Sequence, residues 1–217
     1  MKEEVLMPVG EALLEGELQV PAGSRGIVIF VHGSGSSRHS PRNQYVARVI
    51  REAGIGTLLF DLLTQEEEAI DLPTRHLRFD IGLLTHRLIQ ATNWIEEREA
   101  TRHLRIGYFG ASTGGAAALV AAAALGEKIS AVVSRGGRPD LAGEALPQVL
   151  SPTLLLVGGY DDVVIQLNQQ AFERLHCPKE LKIVPGASHL FEEPGKLEIV
   201  AQLAAEWFQL YLKPVRQ

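Results

Sequence analysis

The stretch Gly110-Ala111-Ser112-Thr113-Gly114 decides how the rest of the chain is read. Before it stands Ile106-Gly107-Tyr108-Phe109, an apolar run that predicts a buried strand. After it stands Gly115-Ala116-Ala117-Ala118-Leu119-Val120-Ala121, a helix whose small side chains allow close approach to a sheet. Strand, G-x-S-x-G and helix in direct succession are the setting of a nucleophile elbow. The turn is too tight for side chains on its flanks, which explains glycine at 110 and 114. Ser112 is then held at the sheet edge, beside a helix N-terminus that favours developing negative charge. A serine N-cap on a glycine-rich turn fits the same five residues, so the remaining chain has to decide between the two.

Outward from this stretch, apolar runs alternate with helical patterns. Ile27-Val28-Ile29-Phe30-Val31 is a continuous run of the kind buried on both faces of a sheet. It opens into the small polar loop His32-Gly33-Ser34-Gly35-Ser36-Ser37. Ser40-Pro41 starts a helix that runs to about Ala53, with serine as cap and proline at the first helical position. Gly56–Phe60, Ala131–Ser134, Thr153–Val157 and Leu181–Val184 read as further strands. Helices are expected over about 78–99, 163–175 and 194–212, while 61–77 reads as polar and irregular, with Glu66, Glu67 and Glu68 as a solvated face. Residues 5–20 alternate loosely and predict a hairpin or two short antiparallel strands that end at Pro21.

Strand–helix alternation after residue 26 predicts an α/β fold with a mainly parallel sheet covered by helices on both faces. One domain over 1–217 is expected, with antiparallel strands within 1–21. About ten residues separate the Arg135 loop from the next strand, which leaves no room for a large cap. The segment 61–77 is then the candidate lid, and a shallow site for small or short-acyl substrates follows.

Composition narrows the function classes. A net charge of −5 argues against a general nucleic-acid binder. The single cysteine, Cys177, excludes an internal disulfide. The acidic Met1-Lys2-Glu3-Glu4 start leads to the expectation of no signal peptide, and no stretch approaches the ~18 apolar residues of a membrane span. A cytoplasmic protein without a membrane partner is expected. With neither a Walker-type phosphate loop nor metal-ligand spacing, no metal and no cofactor are expected.

Ligands of such sheets bind beyond the carboxyl ends of the strands. Ser112, Asp161 and His189 all follow predicted strands, in the chain order that an elbow-bearing sheet uses for nucleophile, acid and base. A serine hydroxyl needs a base to take its proton, and the base needs an orienting acid. Asp140 rivals Asp161, but Pro139 and two glycines set it farther from its strand end. The oxyanion needs fixed donors. The backbone amide of Thr113 supplies one, and the amide of Ser34, in the loop after residues 27–31, supplies the other. Arg135 and His32 are possible substrate-binding residues. Arg135 sits at a strand end, where it suits a substrate carboxylate and solvated surface equally. Arg42 and Arg138 read as solvated, or as paired with Asp61 and Asp140.

Four pieces together carry a resemblance: His32-Gly33 after the first parallel strand, Gly110-Ala111-Ser112-Thr113-Gly114, Gly158-x-x-Asp161-x-x-Val164 and Gly186-Ala187-Ser188-His189. With them the chain resembles an α/β-hydrolase of the dienelactone-hydrolase-like kind over nearly all residues from 27 on. The resemblance implies a Ser112, Asp161, His189 triad and cofactor-free hydrolysis of an ester or similar acyl bond. Dienelactone hydrolases proper carry cysteine at the nucleophile position, whereas this chain has Ser112. That difference favours a general carboxylesterase acting on a small-molecule ester.

Other readings exist. Gly33-x-Gly35 with Asp61 suggests a dinucleotide-binding loop, but Arg38 occupies the third glycine position and blocks close helix packing. A catalytically silent hydrolase-fold binding protein is a second alternative. Thioester, amide or peptide hydrolysis on the same site is a third.

Overall fold

The computed structural model describes residues 1–10 and 12–213; the end of the expected domain, 214–217, lies outside the described residues. The first two strands, β1 (Lys2–Val9) and β2 (Ala12–Gln19), pair antiparallel. Their alternation puts Val5, Met7, Val9, Leu14 and Leu18 inside and leaves Leu6 and Leu13 exposed. Six parallel strands follow: β3 (Gly26–Val31), β4 (Gly56–Phe60), β5 (Arg105–Ala111), β6 (Ile129–Arg135), β7 (Thr153–Gly158) and β8 (Lys179–Val184). The sheet order is β1-β2-β4-β3-β5-β6-β7-β8, with β2 antiparallel to β4. From β3 the chain moves outward to β4, then returns to β5 on the other side. The loops after β3 and β5 therefore part, and a crevice opens between their carboxyl ends.

The helices are α1 (Pro41–Glu52), α2 (Gln65–Thr74), α3 (Ile81–Glu97), α4 (Thr113–Leu125), α5 (Asp162–Arg174) and α6 (Lys196–Tyr211). They explain why β3 is apolar without interruption. Its Val28 and Phe30 enter one core layer with Val46 and Ile50 of α1 and Phe208 of α6. Its Ile27, Ile29 and Val31 enter the opposite layer with Leu84 and Leu88 of α3 and Ala117 and Leu119 of α4. Each such side chain contributes about 1.5–3 kcal/mol on full burial. Helix α4 is buried on nearly all sides, and a Cβ at Gly115 would come within 2.6 Å of Ser134 Oγ on β6. The small residues after the elbow thus set how closely helix and sheet meet.

The structure corrects the sequence reading in three places. Residues 61–77, read as irregular, contain α2. Thr64 and Glu67 form a capping box: the Glu67 amide donates to Thr64 Oγ1 at 3.2 Å, and the Thr64 amide donates to Glu67 Oε2 at 2.9 Å. Glu67 also takes both terminal nitrogens of Arg87 at 2.5 Å, so it is a strap and not part of a solvated face. The long helix expected from Arg78 starts later. A 3-10 turn spans Leu77–Phe79, and Asp80 caps α3 by accepting from the Leu83 amide at 2.9 Å. Finally, Pro139–Gln148, read as loop and connector, forms 3-10 turns kinked at Gly143, where φ is 50°. No described helix is long and apolar enough to cross a membrane.

Candidate active site

At the end of β5 the backbone makes its sharpest turn. Ser112 has φ 51° and ψ −123°, a region in which a non-glycine residue costs on the order of 1–3 kcal/mol. Its neighbours hold it there. A Cβ on Gly110 would lie 2.5 Å from the Gly114 carbonyl oxygen, and one on Gly114 would run into the Val31 carbonyl. The Ser112 amide donates to the Arg135 carbonyl at 3.3 Å. The Ser112 carbonyl accepts from the amides of Gly115 and Arg138 at 3.0 and 3.1 Å. Elbow and β6 loop are thereby stitched together on both sides of the serine.

The loop after β3 packs directly on the elbow. A Cβ on Gly33 would stand 2.9 Å from Ser112 Cβ, so only glycine lets the loop come this near. Ser34 follows, lining the same cavity as Ser112, and no backbone carbonyl of the described residues takes up its amide. The Thr113 amide opens α4, where helix geometry provides no intrahelical acceptor.

The loops after β7 and β8 carry Asp161 and His189. The amides of Gly159 and Tyr160 donate to the carbonyls of Val184 and Ala187 at 2.9 and 3.0 Å, binding one loop to the other. His189 Nδ1 then lies 2.6 Å from Asp161 Oδ2. Asp161 holds the N-cap position of α5, yet its side chain makes no capping bond, which frees the carboxylate for His189. Gly136, at φ 50°, sits against the imidazole: a Cβ there would be 3.5 Å from its Nδ1 and Cε1. Asp140 is spent elsewhere, in a two-pronged pair with Arg138 at 2.8 and 2.9 Å.

Ser112, His189, Ser34, Arg42 and Arg135 line one cavity of about 860 Å³. Helix α2 adds Glu68 and Leu72 to its wall, and Arg78 follows beside them. The Arg78 guanidinium pairs with the buried Asp71 of α2, so this wall is strapped by side chains. Burial, then the Asp61 charge, push the Glu68 carboxyl above its ordinary value.

Three residues that the sequence singled out stand differently from their expected places. His32 is buried, and its Nε2 accepts from the Leu62 amide at 3.1 Å. That leaves Nδ1 to carry the proton and face the Gly33 carbonyl at 3.0 Å. Both ring nitrogens are engaged with backbone, so His32 braces the loop where a substrate contact was expected. Burial holds its pKa below the ordinary value, which keeps it neutral. Asp61 pairs with Arg38, which also meets Glu15, so the acidic group of the dinucleotide reading is taken. Arg135 is not solvated, and its guanidinium lies over the Phe109 ring, 5.9 Å from the ring centre. It is 8 % exposed, and its Nη1 has no hydrogen-bond partner among the described residues. Burial, then the neighbouring Arg42 charge, lower its pKa to about 10. Arg42 meets Glu192 at 3.0 Å at the surface.

The α2 wall is the part of the site that sequence reading missed. Thr64-x-x-Glu67 was its signal, masked by the acidic run and by Pro73. Among the described residues, no cluster of three or more His, Cys, Asp or Glu is arranged to hold a metal ion.

Comparison with known proteins agrees with this fold. A model of the dienelactone hydrolase family matches residues 14–213. A dienelactone hydrolase from Anabaena variabilis is 63% identical, with a TM-score of 0.97 over 98% of this chain and 99% of that one. Est1E from Butyrivibrio proteoclasticus shares the fold at 16% identity and a TM-score of 0.80, over 96% of this chain and 98% of its own. Curated proteins from two strains of Mycobacterium tuberculosis, named "Putative phosphoribosyl transferase", are 57% identical over 95% of this chain. The chain spans 46% of their length, so they are about twice as long. With an α/β-hydrolase sheet, a serine at the sharp turn after β5 and a match over nearly its whole length, the chain belongs to the dienelactone hydrolase family.

Proposed function

We propose that the protein is a serine hydrolase of small carboxylic esters. Ser112 attacks the acyl carbon, and His189 takes the hydroxyl proton. His189 returns that proton to the leaving alcohol, and an acyl-enzyme remains on Ser112. Water activated by the same imidazole then releases the acid and restores the serine. Asp161 holds the imidazole with its protonated Nδ1 toward the carboxylate, which leaves Nε2 for the serine side. The amides of Thr113 and Ser34 receive the oxyanion. The observation that carries this reading is the 2.6 Å contact between His189 Nδ1 and Asp161 Oδ2 on the cavity that Ser112 lines. The transferase name of the M. tuberculosis relatives belongs to much longer proteins, and the groups gathered at this rim suit acyl transfer to water.

Turnover of p-nitrophenyl esters from short to long acyl tests the reading, with Asp161→Asn and Asp140→Asn run in parallel. Short esters are expected to be the better substrates. Asp161→Asn is expected to lower turnover about 10³- to 10⁴-fold, and Asp140→Asn less than about threefold, since Asp140 pairs only with Arg138. No turnover of any ester, or the reverse ranking of the two variants, would contradict it.

A further inference from the structure

The helix that begins at Asp161 carries a second polar side chain inward. Asn168 stands two turns further along α5 and is fully buried, on the same face as Val164 and Ala171. Its Nδ2 donates to the Val164 carbonyl at 2.8 Å and to the Gly137 carbonyl at 3.1 Å. Two carbonyls facing one side chain demand an NH2 group there, which fixes the orientation of the amide. Its Oδ1 accepts from nothing among the described residues. A buried acceptor left unmade costs stability, and leucine would offer the same branching without that cost. The amide is explained by what its two donors hold.

One of them holds a peptide group of the β6 loop. The Gly137 carbonyl belongs to the same planar unit as the Arg138 amide, and that amide donates to the Ser112 carbonyl at 3.1 Å. The Gly137–Arg138 peptide is thus gripped at both ends, by α5 on one side and by the turn after β5 on the other. It has little room to slide. A Cβ on Gly137 would collide with Ser134 Oγ, and one on Gly115 would stand 3.2 Å from Gly137 Cα. One residue earlier, Gly136 packs on the His189 imidazole. Helix α5 itself begins at Asp161, whose carboxylate meets His189. Two hydrogen bonds in series therefore join the helix of Asp161 to the backbone of Ser112. We propose that Asn168 is a positioning residue: through the Gly137–Arg138 peptide it fixes the Ser112 turn relative to the Asp161–His189 pair. The proposal rests on the acyl-hydrolase reading above. That chemistry needs Ser112 Oγ and the imidazole within hydrogen-bond reach, and a displacement of about 1 Å costs roughly 10²-fold in rate. Asn168 does not line the cavity, so its effect falls on the chemical step and not on substrate binding.

Two variants test it. Asn168→Leu removes both donors, and Asn168→Ser keeps a hydroxyl that reaches the Val164 carbonyl one turn back but not Gly137. Both are compared with the unaltered protein on p-nitrophenyl butyrate, at a temperature where all three are folded by circular dichroism. In both variants kcat is expected to fall about 10- to 100-fold, with KM within about twofold. The acid limb of the kcat pH profile, which follows His189, is expected to stay in place, because the contact with Asp161 is untouched. A side chain that only stabilises the fold would lower the urea midpoint and leave kcat of the folded protein as it was, and that result overturns the proposal. Full kcat in Asn168→Ser overturns it too, as does an acid limb that moves together with kcat, which would place the effect at Asp161. Amide hydrogen exchange read by NMR probes the link without turnover. The Arg138 amide is expected to exchange slowly in the unaltered protein and about 10-fold or more faster in Asn168→Ser. That pattern in a protein that cleaves no ester keeps the link and removes the acyl reading. Should neither variant fold, the unaltered protein decides: an Arg138 amide that exchanges as fast as those of exposed loops overturns the proposal, and a protected one supports it.

Discussion

The two walls of the cavity are built by different physics. On the elbow side, geometry is set by backbone. Ser112 is pinned by amide and carbonyl bonds to the β6 loop, and Gly33, Gly110 and Gly114 leave space for nothing larger than hydrogen. On the α2 side, geometry is set by side chains. The Glu67–Arg87 and Asp71–Arg78 pairs hold a short helix that ends at a left-handed Arg75, two residues after Pro73. Backbone packing tolerates no substitution but needs no charge. Side-chain straps tolerate substitution in kind but depend on ionisation. The proposed reacting groups stand on the first kind of wall, and the rest of the cavity lining includes the second.

That contrast is broken most severely at Gly114. Alanine there drives a methyl group into the Val31 carbonyl between β3 and α4, and neither backbone can yield without unmaking the elbow. A loss of about 3 kcal/mol or more is expected, read as a lowered midpoint in urea, together with loss of ester turnover. A Gly114→Ala protein of unchanged stability would show that the elbow has slack.

A smaller effect is expected on the opposite wall. Glu67→Gln keeps one oxygen for the capping box and removes the charge facing Arg87, for a loss of about 1–2 kcal/mol. KM is expected to rise a few-fold with kcat nearly unchanged, because Glu68 and Leu72 line the cavity while the proposed reacting groups stand elsewhere. The same pair sharpens the comparison through pH. Hydrogen bonding from Arg87 holds the Glu67 carboxyl below its ordinary 4.5. Its contribution is therefore complete above pH 4.5 and is lost as pH falls through the lower folded-state value. Thermal midpoints from pH 7 to pH 3 should fall less steeply for Glu67→Gln than for the unaltered protein. Parallel curves would show that the Glu67 charge does not hold this wall.

How legible each wall was in the sequence follows from the same difference. Backbone-built features leave local marks. The glycines around Ser112, the unbroken Ile27–Val31 run and the alanines of α4 each restrict the chain to one geometry, and the parallel sheet could be read from them. Asp161 was separable from Asp140 because its distance from a strand end is a local property. Side-chain-built features depend on partners far along the chain. Glu67 meets Arg87 twenty residues away, and no pattern in residues 61–77 indicates it. The pairing of His32 with the Leu62 amide across 30 residues was hidden for the same reason. Arg135 shows the limit most plainly: its residue type and strand-end position were visible, but its burial without a carboxylate partner emerges only when β6, α1 and the elbow are assembled.

The central claim, that Ser112 is the nucleophile positioned for attack, is tested most directly by covalent trapping. A fluorophosphonate is incubated with the protein and with Ser112→Ala, and the adduct is mapped by mass spectrometry of the digested chain. One adduct is expected, on the peptide containing Ser112, absent from Ser112→Ala and slower to form in Asp161→Asn. An adduct on another residue, or labelling that persists in Ser112→Ala, would contradict the claim.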